Sequence, residues 1–427
     1  MDVHRVFLDE ILAHPDDDAP RLVYADWLSE REDPRGEFIR LQCERERLPQ
    51  YSLEAQQSLL RERELASRHG REWAGELHEM FYPYRFRRGF IAWGRSSTHQ
   101  FVPAAERVLR MTPLERLVLA RGAMSEELAS QPFMSRLQSV TLQKFRSTEE
   151  SSERFLRRLG RRPPAEVSLS ECVGATRGLH WLRDVQSLRL YDTHDSDVRD
   201  FLAAAPPRLH TFVVGRSIHD QHPLSLGDVV QQLGHCYLRR LEVFGQIEED
   251  ELGCLSAGCC EGLKHLLIPA PSRADVEALA RLESVRLTSF SVEHSALPPT
   301  DTLEPLLSAA PLQQLRALKL RYLQLPPRCA DELVAWQRFP ELVSLDLLGT
   351  SMEPGDASML LTAASPPQRS RIRMSTDAMS LKVRCQLREQ FPDVQWQRAF
   401  YGGDEAVTGD QAVVADGTVV ENEVDLV

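Results

Sequence analysis

The stretch LRALKL, Leu315–Leu320, decides the fold, because Leu318 and Leu320 are one residue apart and so point to the same face of an extended strand. The spacing L-x-x-L-x-L, with Val, Ile or Phe substituting, returns at Leu342-Leu345-Leu347 and, towards the N-terminus, at Leu282-Val285-Leu287, Leu263-Leu266-Ile268, Leu238-Leu241-Val243 and Leu209-Phe212-Val214. It continues at Val185-Leu188-Leu190, Leu137-Val140-Leu142 and Leu114-Leu117-Leu119, with weaker copies at Val167-Leu169 and Ile372-Met374. Gly89 to Trp93 and the pair Val394 and Trp396 read as end strands.

The central positions from Leu117 to Ile372 lie about 19 to 33 residues apart, averaging near 25, which is the leucine-rich-repeat period. Capped helix signals fall between the strands, as at Ser125-Glu-Glu-Leu, Asp195 to Ala205, Ser272 to Leu282 and Asp377 to Phe391. One such unit cannot bury its apolar face, whereas stacked units share a continuous core. The expected fold is therefore an α/β solenoid of leucine-rich-repeat type, with a concave parallel sheet and convex helices, over 81–401.

Two other zones flank it. Residues 1–80 read as helices: Val3 to His14, a second with Asp18 as its cap and Pro20 in its first turn, a third from Glu37 to Leu48, and a long charged one capped by Ser52. Residues 402–427 hold seven carboxylates (Asp404, Glu405, Asp410, Asp416, Glu421, Glu423, Asp425) and no Lys or Arg, the composition of a disordered acidic tail.

Hydrophobic residues make up 42% of the 427 and charged residues 27%, which is ordinary globular chemistry. No apolar run reaches the roughly 18 residues of a membrane span, and the first residues lack a secretory pattern, so a cytoplasmic protein is expected. The net charge of -12 argues against indiscriminate nucleic-acid binding.

The stretch Phe7 to Gln42 resembles the bacterial repeat-companion domain, which precedes degenerate leucine-rich-type repeats. The residues that carry the resemblance are Pro15, Asp16, Asp18, Pro20, Arg21, Leu22, Tyr24, Ala25, Asp26, Trp27 and Leu28, then Asp33, Pro34, Arg35, Gly36, Glu37, Phe38 and Ile39. Glu32 stands where Gly often precedes the Asp-Pro turn. The resemblance implies an architecture and no activity. The residues themselves read as packing aromatics (Tyr24, Trp27, Phe38) and as ion pairs between short helices (Arg21, Asp26, Arg35, Glu37), forming a module that caps the open end of the repeats.

No phosphate loop, dinucleotide fingerprint, nucleophile elbow or HExxH motif occurs, so no enzyme is expected. Two His/Cys groups, His210, His219, His222, His235 with Cys236 and Cys254, Cys259, Cys260 with His265, read as loop polar residues and small core hydrophobes, with no metal or cofactor. Cys172, with Thr193, Ser217 and Thr350, stands where repeats satisfy backbone groups in the turn after the strand.

Strand alternation brings eleven basic residues to the concave columns: Arg116, Arg121, Lys144, Arg189, Arg216, Arg240, Arg286, Lys319, Arg321, Arg371 and Arg373, with His265 alongside. Five acidic residues share them, Glu166, Glu171, Asp192, Glu242 and Asp346, and Tyr191, Phe244 and Tyr322 add aromatic area. The expectation is a non-catalytic scaffold that binds the acidic surface of a partner protein. The alternatives are regulation of a partner enzyme such as a small GTPase or protease, and a nucleic-acid-binding solenoid, which the overall acidity disfavours.

Overall fold

The computed structural model describes residues 3–48, 53–172, 179–191, 208–215, 225–244, 251–269, 271–282, 284–293, 303–325, 329, 339, 341–369, 372–375 and 381–397. The chain divides into two compact units, one whose described residues run to Leu182 and one that begins at Arg183. Among the candidate face residues, Arg216, Arg371 and Asp192 lie outside the described residues, as do the helix expected from Asp195, the cap Ser52, and 402–427.

The first unit opens with helices α1 (Val3–Ala13), α2 (Ala19–Ser29), α3 (Pro34–Arg47) and α4 (Leu53–Ala74). Pro20 lies in the first turn of α2 as expected, but Asp18 makes no side-chain cap. Its carboxylate is drawn to Arg47 at 2.8 Å and Arg88 at 3.3 Å, and Asp17 instead accepts from Ala19 N. Helix α3 starts at Pro34 and not at Glu37, because Asp33 Oδ1 accepts from Arg35 N and Pro34 fits the first helical position. Gly36 allows α3 to cross α2 closely: a Cβ there would lie 2.6 Å from Ala25 O.

Five strands follow, β1 (Tyr84–Arg87), β2 (Phe90–Ser97), β3 (Arg116–Gly122), β4 (Ser139–Phe145) and β5 (Glu166–Ser170). β1 and β2 form an antiparallel hairpin, and β2 to β5 pair in parallel and in sequence order. The second unit carries β6 (Ser187–Tyr191), β7 (Thr211–Gly215), β8 (Arg240–Phe244), β9 (His265–Ile268), β10 (Ser289–Glu293), β11 (Ala317–Arg321), β12 (Ser344–Leu347), β13 (Ile372–Ser375) and β14 (Gln395–Gln397), again parallel and sequential. This is an α/β, mostly parallel architecture compatible with a solenoid-like fold.

The register places the motif's central residues side by side, as Leu117 with Val140 and Leu318 with Leu345, and their side chains are buried. One expectation fails. Leu282-Val285-Leu287 does not make the strand; β10 carries Phe290 and Val292 inward, with Leu287 leading in. With Phe290 as the centre, the steps from Leu266 to Phe290 and from Phe290 to Leu318 become nearly even, where Val285 would make the first short and the second long.

Strand exits share a device. Arg121, Lys144 and Glu171 in the first unit, and Tyr322 and Gly349 in the second, all take positive φ two residues beyond the inner apolar position. The next residue then turns inward. Cys172 Sγ donates to Leu142 O at 3.3 Å and Thr350 Oγ1 to Leu320 O, each the carbonyl of the preceding repeat. Both perform the backbone-satisfying role read from the sequence, which matters because an unpaired buried carbonyl costs about 1–3 kcal/mol. Several helices that follow begin on a Ser or Thr whose hydroxyl accepts the N3 amide: Ser97, Ser125, Thr148, Ser225 and Ser272. The helices themselves vary from a single turn, Glu126–Ala129, to nearly four turns, Thr98–Met111. No helix among the described residues is long and apolar enough to cross a membrane.

Candidate interaction face

The face of the sheet opposite the inward leucines is the expected basic strip. In the second unit Arg240, Arg321 and Arg373 are paired within the face. Arg321 is flanked by Asp346, whose Oδ2 is 2.8 Å from its Nε, and by Glu293 at 3.5 Å; Arg373 reaches Asp346 at 3.1 Å. Glu293, Arg321, Asp346 and Arg373 thus alternate in sign across β10 to β13. Arg373 is only 8% exposed, and Arg321 is nearly as enclosed. Burial alone pushes Asp346 upward, but Arg321 and Arg373 outweigh it and hold its carboxyl at about 2. Arg240 spends its Nε on Glu242 at 2.7 Å, two residues along the same strand face.

Of the aromatics expected as contact area, Tyr191 and Phe244 are buried and Tyr322 is half-buried. Tyr191 (2% exposed) and Phe244 (8%) pack ring to ring at 5.9 Å in a cluster with Val213 and Leu267. Tyr191 covers Gly215, and Tyr322 covers Gly349, where a Cβ would lie 2.4 Å from the ring. Arg286 leaves the face entirely: it precedes β10 by three residues, and its guanidinium donates to Val285 O at 2.9 Å. Arg189, His265 and Lys319 remain half-buried on the face, in register with Val213, Ser289 and Asp346 respectively.

The first unit differs. Its corresponding face brings together Arg85, Trp93, Arg95 and Arg116, through the register Arg85 to Trp93 to Arg116 and Arg95 to Val118 to Thr141, with Arg121 and Lys144 at the exits of β3 and β4. Arg85 lies over the Trp93 ring at 5.1 Å. Arg116 meets Glu166 at 3.8 Å and Lys144, whose side chain is 41% exposed, meets Glu171 at 3.5 Å, both at the loose end of ion pairing. Among the described residues, Arg95 and Arg121 make no ion pair. The fixed left-handed turns at Arg121 and Lys144 hold these two side chains on successive strands. Sequence reading found Arg116, Arg121 and Lys144 but missed Arg85, Trp93 and Arg95. Gly94 stands in β2 where a core leucine is expected, with the Phe81 ring filling the space, 2.5 Å from a notional Cβ. The signal was the position of Gly94, one repeat period ahead of Leu117 and paired with it.

The residues that carry the companion-domain resemblance converge on the β1–β2 hairpin beside this face. Gly89 at the hairpin tip has φ +85 and leaves no space for a side chain, with a notional Cβ 2.1 Å from Ile39 Cγ1. Gln42 on α3 behaves like the edge of a neighbouring strand: its Oε1 accepts from Gly89 N at 2.8 Å and its Nε2 donates to Phe86 O at 3.4 Å. Arg35 donates to Gly89 O at 3.3 Å and lies over the Phe90 ring. Arg87 and Arg88 both reach Glu115; Arg88 also reaches Asp18 and Asp16 O, and Arg87 also reaches Glu46. Phe90 completes one core with Ile11, Tyr24, Ala25, Leu28, Ile39 and Cys43. Of the four expected ion-pairing residues, Asp26 and Glu37 pair with Arg40 and Arg61, whereas Arg21 and Arg35 bond backbone carbonyls.

Six of the eight cysteines, Cys43, Cys172, Cys236, Cys259, Cys260 and Cys329, are buried, Cys254 is half-buried, and Cys385 is exposed. Burial pushes Cys43, Cys254 and Cys329 up to about 12, and Cys172 and Cys236 to about 11. Native protein treated with an aromatic disulfide reagent near neutral pH is therefore expected to release one equivalent rapidly, from Cys385, and the remainder on unfolding; several fast equivalents would contradict the packing. Among the described residues no His/Cys/Asp/Glu group has the geometry to hold a metal ion; His219 and His222 lie outside them. Compared with known proteins, the chain matches no family model and no curated protein.

Proposed function

We propose that this protein is a non-catalytic, cytoplasmic interaction scaffold: a leucine-rich-repeat-type solenoid, capped by a repeat-companion module, that binds the acidic surface of a partner protein through the sheet face of its first unit. The observation that carries the reading is the set of cations Arg95, Arg116, Arg121 and Lys144 on β2 to β4, where two lack an ion pair among the described residues and two have only long ones. Arg and Trp are the residue types that dominate binding energy at protein interfaces. The side-chain edge supplied by Gln42 supports the capping role, since it occupies the exposed rim of β1 that would otherwise pair with another chain. In-register strands that recur at the leucine-rich-repeat period within each unit support the repeat type.

The test is affinity capture from native cytosol by the full chain and by an Arg95→Glu/Arg121→Glu variant, at about 50 mM and about 500 mM salt. A partner held by the wild-type chain at low salt, and released by salt or by the double substitution, is the expected result. Equal retention by both chains contradicts the reading. Loss on nuclease treatment assigns the face to nucleic acid instead.

A further inference from the structure

The first unit has a second recognition feature, on its helical side. The helix Thr98–Met111 has 14 residues, a length of about 21 Å at roughly 1.5 Å per residue. The next repeat has only the single turn Glu126–Ala129 and the 3₁₀ turn Pro132–Ser135, whereas the one after returns to 11 residues, Glu149–Leu159. The short middle repeat leaves part of the long helix uncovered, and a groove of 480 Å³ opens between Thr98–Met111 and Pro132–Ser135. That volume falls within the roughly 300–1,000 Å³ of sites that enclose a ligand. Val102 and Leu109, about two turns apart on one helix face, line one wall, and Phe133 lines the other.

The rim is basic. Arg110 and Arg136 stand on it, both exposed. Arg110 pairs with Glu106 at 3.3 Å, an exposed contact of the weak surface kind, and Arg136 makes no ion pair among the described residues. Next to Gln131, which also lines the groove, Arg158 Nε donates to Ser130 Oγ at 2.9 Å. This bond ties in the end of Glu149–Leu159, where Arg157, Arg161 and Arg162 make no ion pair among the described residues. Cations at helix ends complement the helix dipole, which accounts for where these arginines stand. It does not account for an apolar groove left open beside them.

We infer that this groove seats a helical segment of a partner protein, one with an apolar stripe flanked by carboxylates. The stripe Val102–Leu109 matches side chains at i, i+3 and i+7 of such a helix, and the cations of the rim complement its acidic flanks. The site lies apart from the sheet face and does not depend on the function proposed for that face.

The test uses the full chain and two labelled helical peptides of about eighteen residues, built from Glu, Ala and Leu and identical in charge. One has Leu at i, i+3 and i+7, the other Ala, and affinity is read by fluorescence anisotropy at about 50 mM salt. The ratio of the two affinities reports the groove, because charge attraction to any other basic surface is the same for both. Wild type is expected to prefer the leucine peptide about tenfold or more. Arg110→Glu/Arg136→Glu is expected to weaken the leucine peptide about tenfold, and Val102→Trp, which fills the groove, to bring the ratio to about one, with urea midpoints checking that each variant is folded. A wild-type ratio near one overturns the proposal. So does a ratio unchanged by Val102→Trp, or a leucine peptide held as tightly by Arg110→Glu/Arg136→Glu as by wild type. Vesicles of phosphatidylglycerol and phosphatidylcholine are run in parallel: vesicle binding lost on Arg110→Glu/Arg136→Glu, with a peptide ratio near one, also overturns it and assigns the groove to an anionic membrane.

Discussion

Gly89→Val is expected to destabilise the first unit by about 4 kcal/mol, combining left-handed backbone strain of roughly 1–3 kcal/mol with an overlap costing a similar amount. Gly89 has φ +85, and the added Cβ would stand 2.1 Å from Ile39 Cγ1, a buried core atom without a flexible end to yield. The backbone of Gly89 also carries the clamp, donating to Gln42 and accepting from Arg35, so a shifted hairpin releases α3 from β1. Urea unfolding followed by tryptophan fluorescence reads the effect, because Trp27, Trp73 and Trp93 all belong to this unit. Gly355→Ala is the control: nothing lies within 4 Å of its notional Cβ, it sits in the helix Pro354–Ala363, and it is expected to be neutral or to stabilise by about 0.5–1 kcal/mol. A Gly89→Val chain that unfolds at the wild-type midpoint would show that the contacts of Gly89 with Gln42 and Arg35 do not hold the first unit together.

Asp346→Ala is expected to cost about 3–5 kcal/mol in the second unit, because it strands Arg321 and Arg373, both largely buried, with Glu293 as the remaining neighbour of Arg321. The pH dependence has a definite sign. Asp346 is held at about 2 in the folded chain, below its ordinary value of 3.8, so its contribution is present above that ordinary value and is lost as pH falls towards and through about 2. Between about pH 5 and about pH 2, wild type is expected to lose on the order of 2 kcal/mol more than Asp346→Asn, read as the difference in urea midpoints. Parallel curves for the two proteins would mean that the ladder does not hold the carboxylate ionised.

The repeat pattern was legible because burial of every second strand residue writes the strand into the sequence: Leu315-Leu318-Leu320 and Leu342-Leu345-Leu347 become β11 and β12 with their leading turns, in the register the motif implies. It misled at Leu282-Val285-Leu287, which satisfies the same letters. There Leu287-Phe290-Val292 satisfies the motif as well, so two overlapping copies share Leu287 and the letters alone do not choose between them. The uneven steps on either side of Val285, one short and one long, carried the correction, since sliding the strand centre from Val285 to Phe290 evens both.

The face was half legible. Alternation puts Arg116, Arg240, Lys319, Arg321 and Arg373 on the side of their strands opposite the buried apolar residues, but a count of charges per column does not reveal which are already spent. Lys319 and Arg373 both adjoin Asp346 in register, and Arg240 and Glu242 are two apart on one strand, so the pairing follows once strand register is known. Arg85, Trp93 and Arg95 were hidden for another reason: Gly94 replaces the core leucine and Phe81, outside the strand, supplies its volume. The helices of the first 48 residues were legible but not what they pack against, because the contacts of Gln42 and Arg35 with Phe86 and Gly89 join parts of the chain far apart in sequence.

The most direct test of where the protein binds is the affinity of the captured partner for two full-length variants measured side by side, Arg95→Glu/Arg121→Glu in the first unit and Arg189→Gln/Lys319→Gln in the second. A loss of about tenfold or more, some 1.4 kcal/mol, is expected for the first and less than about twofold for the second. The reverse order would return the binding face to the second unit and contradict the proposed site.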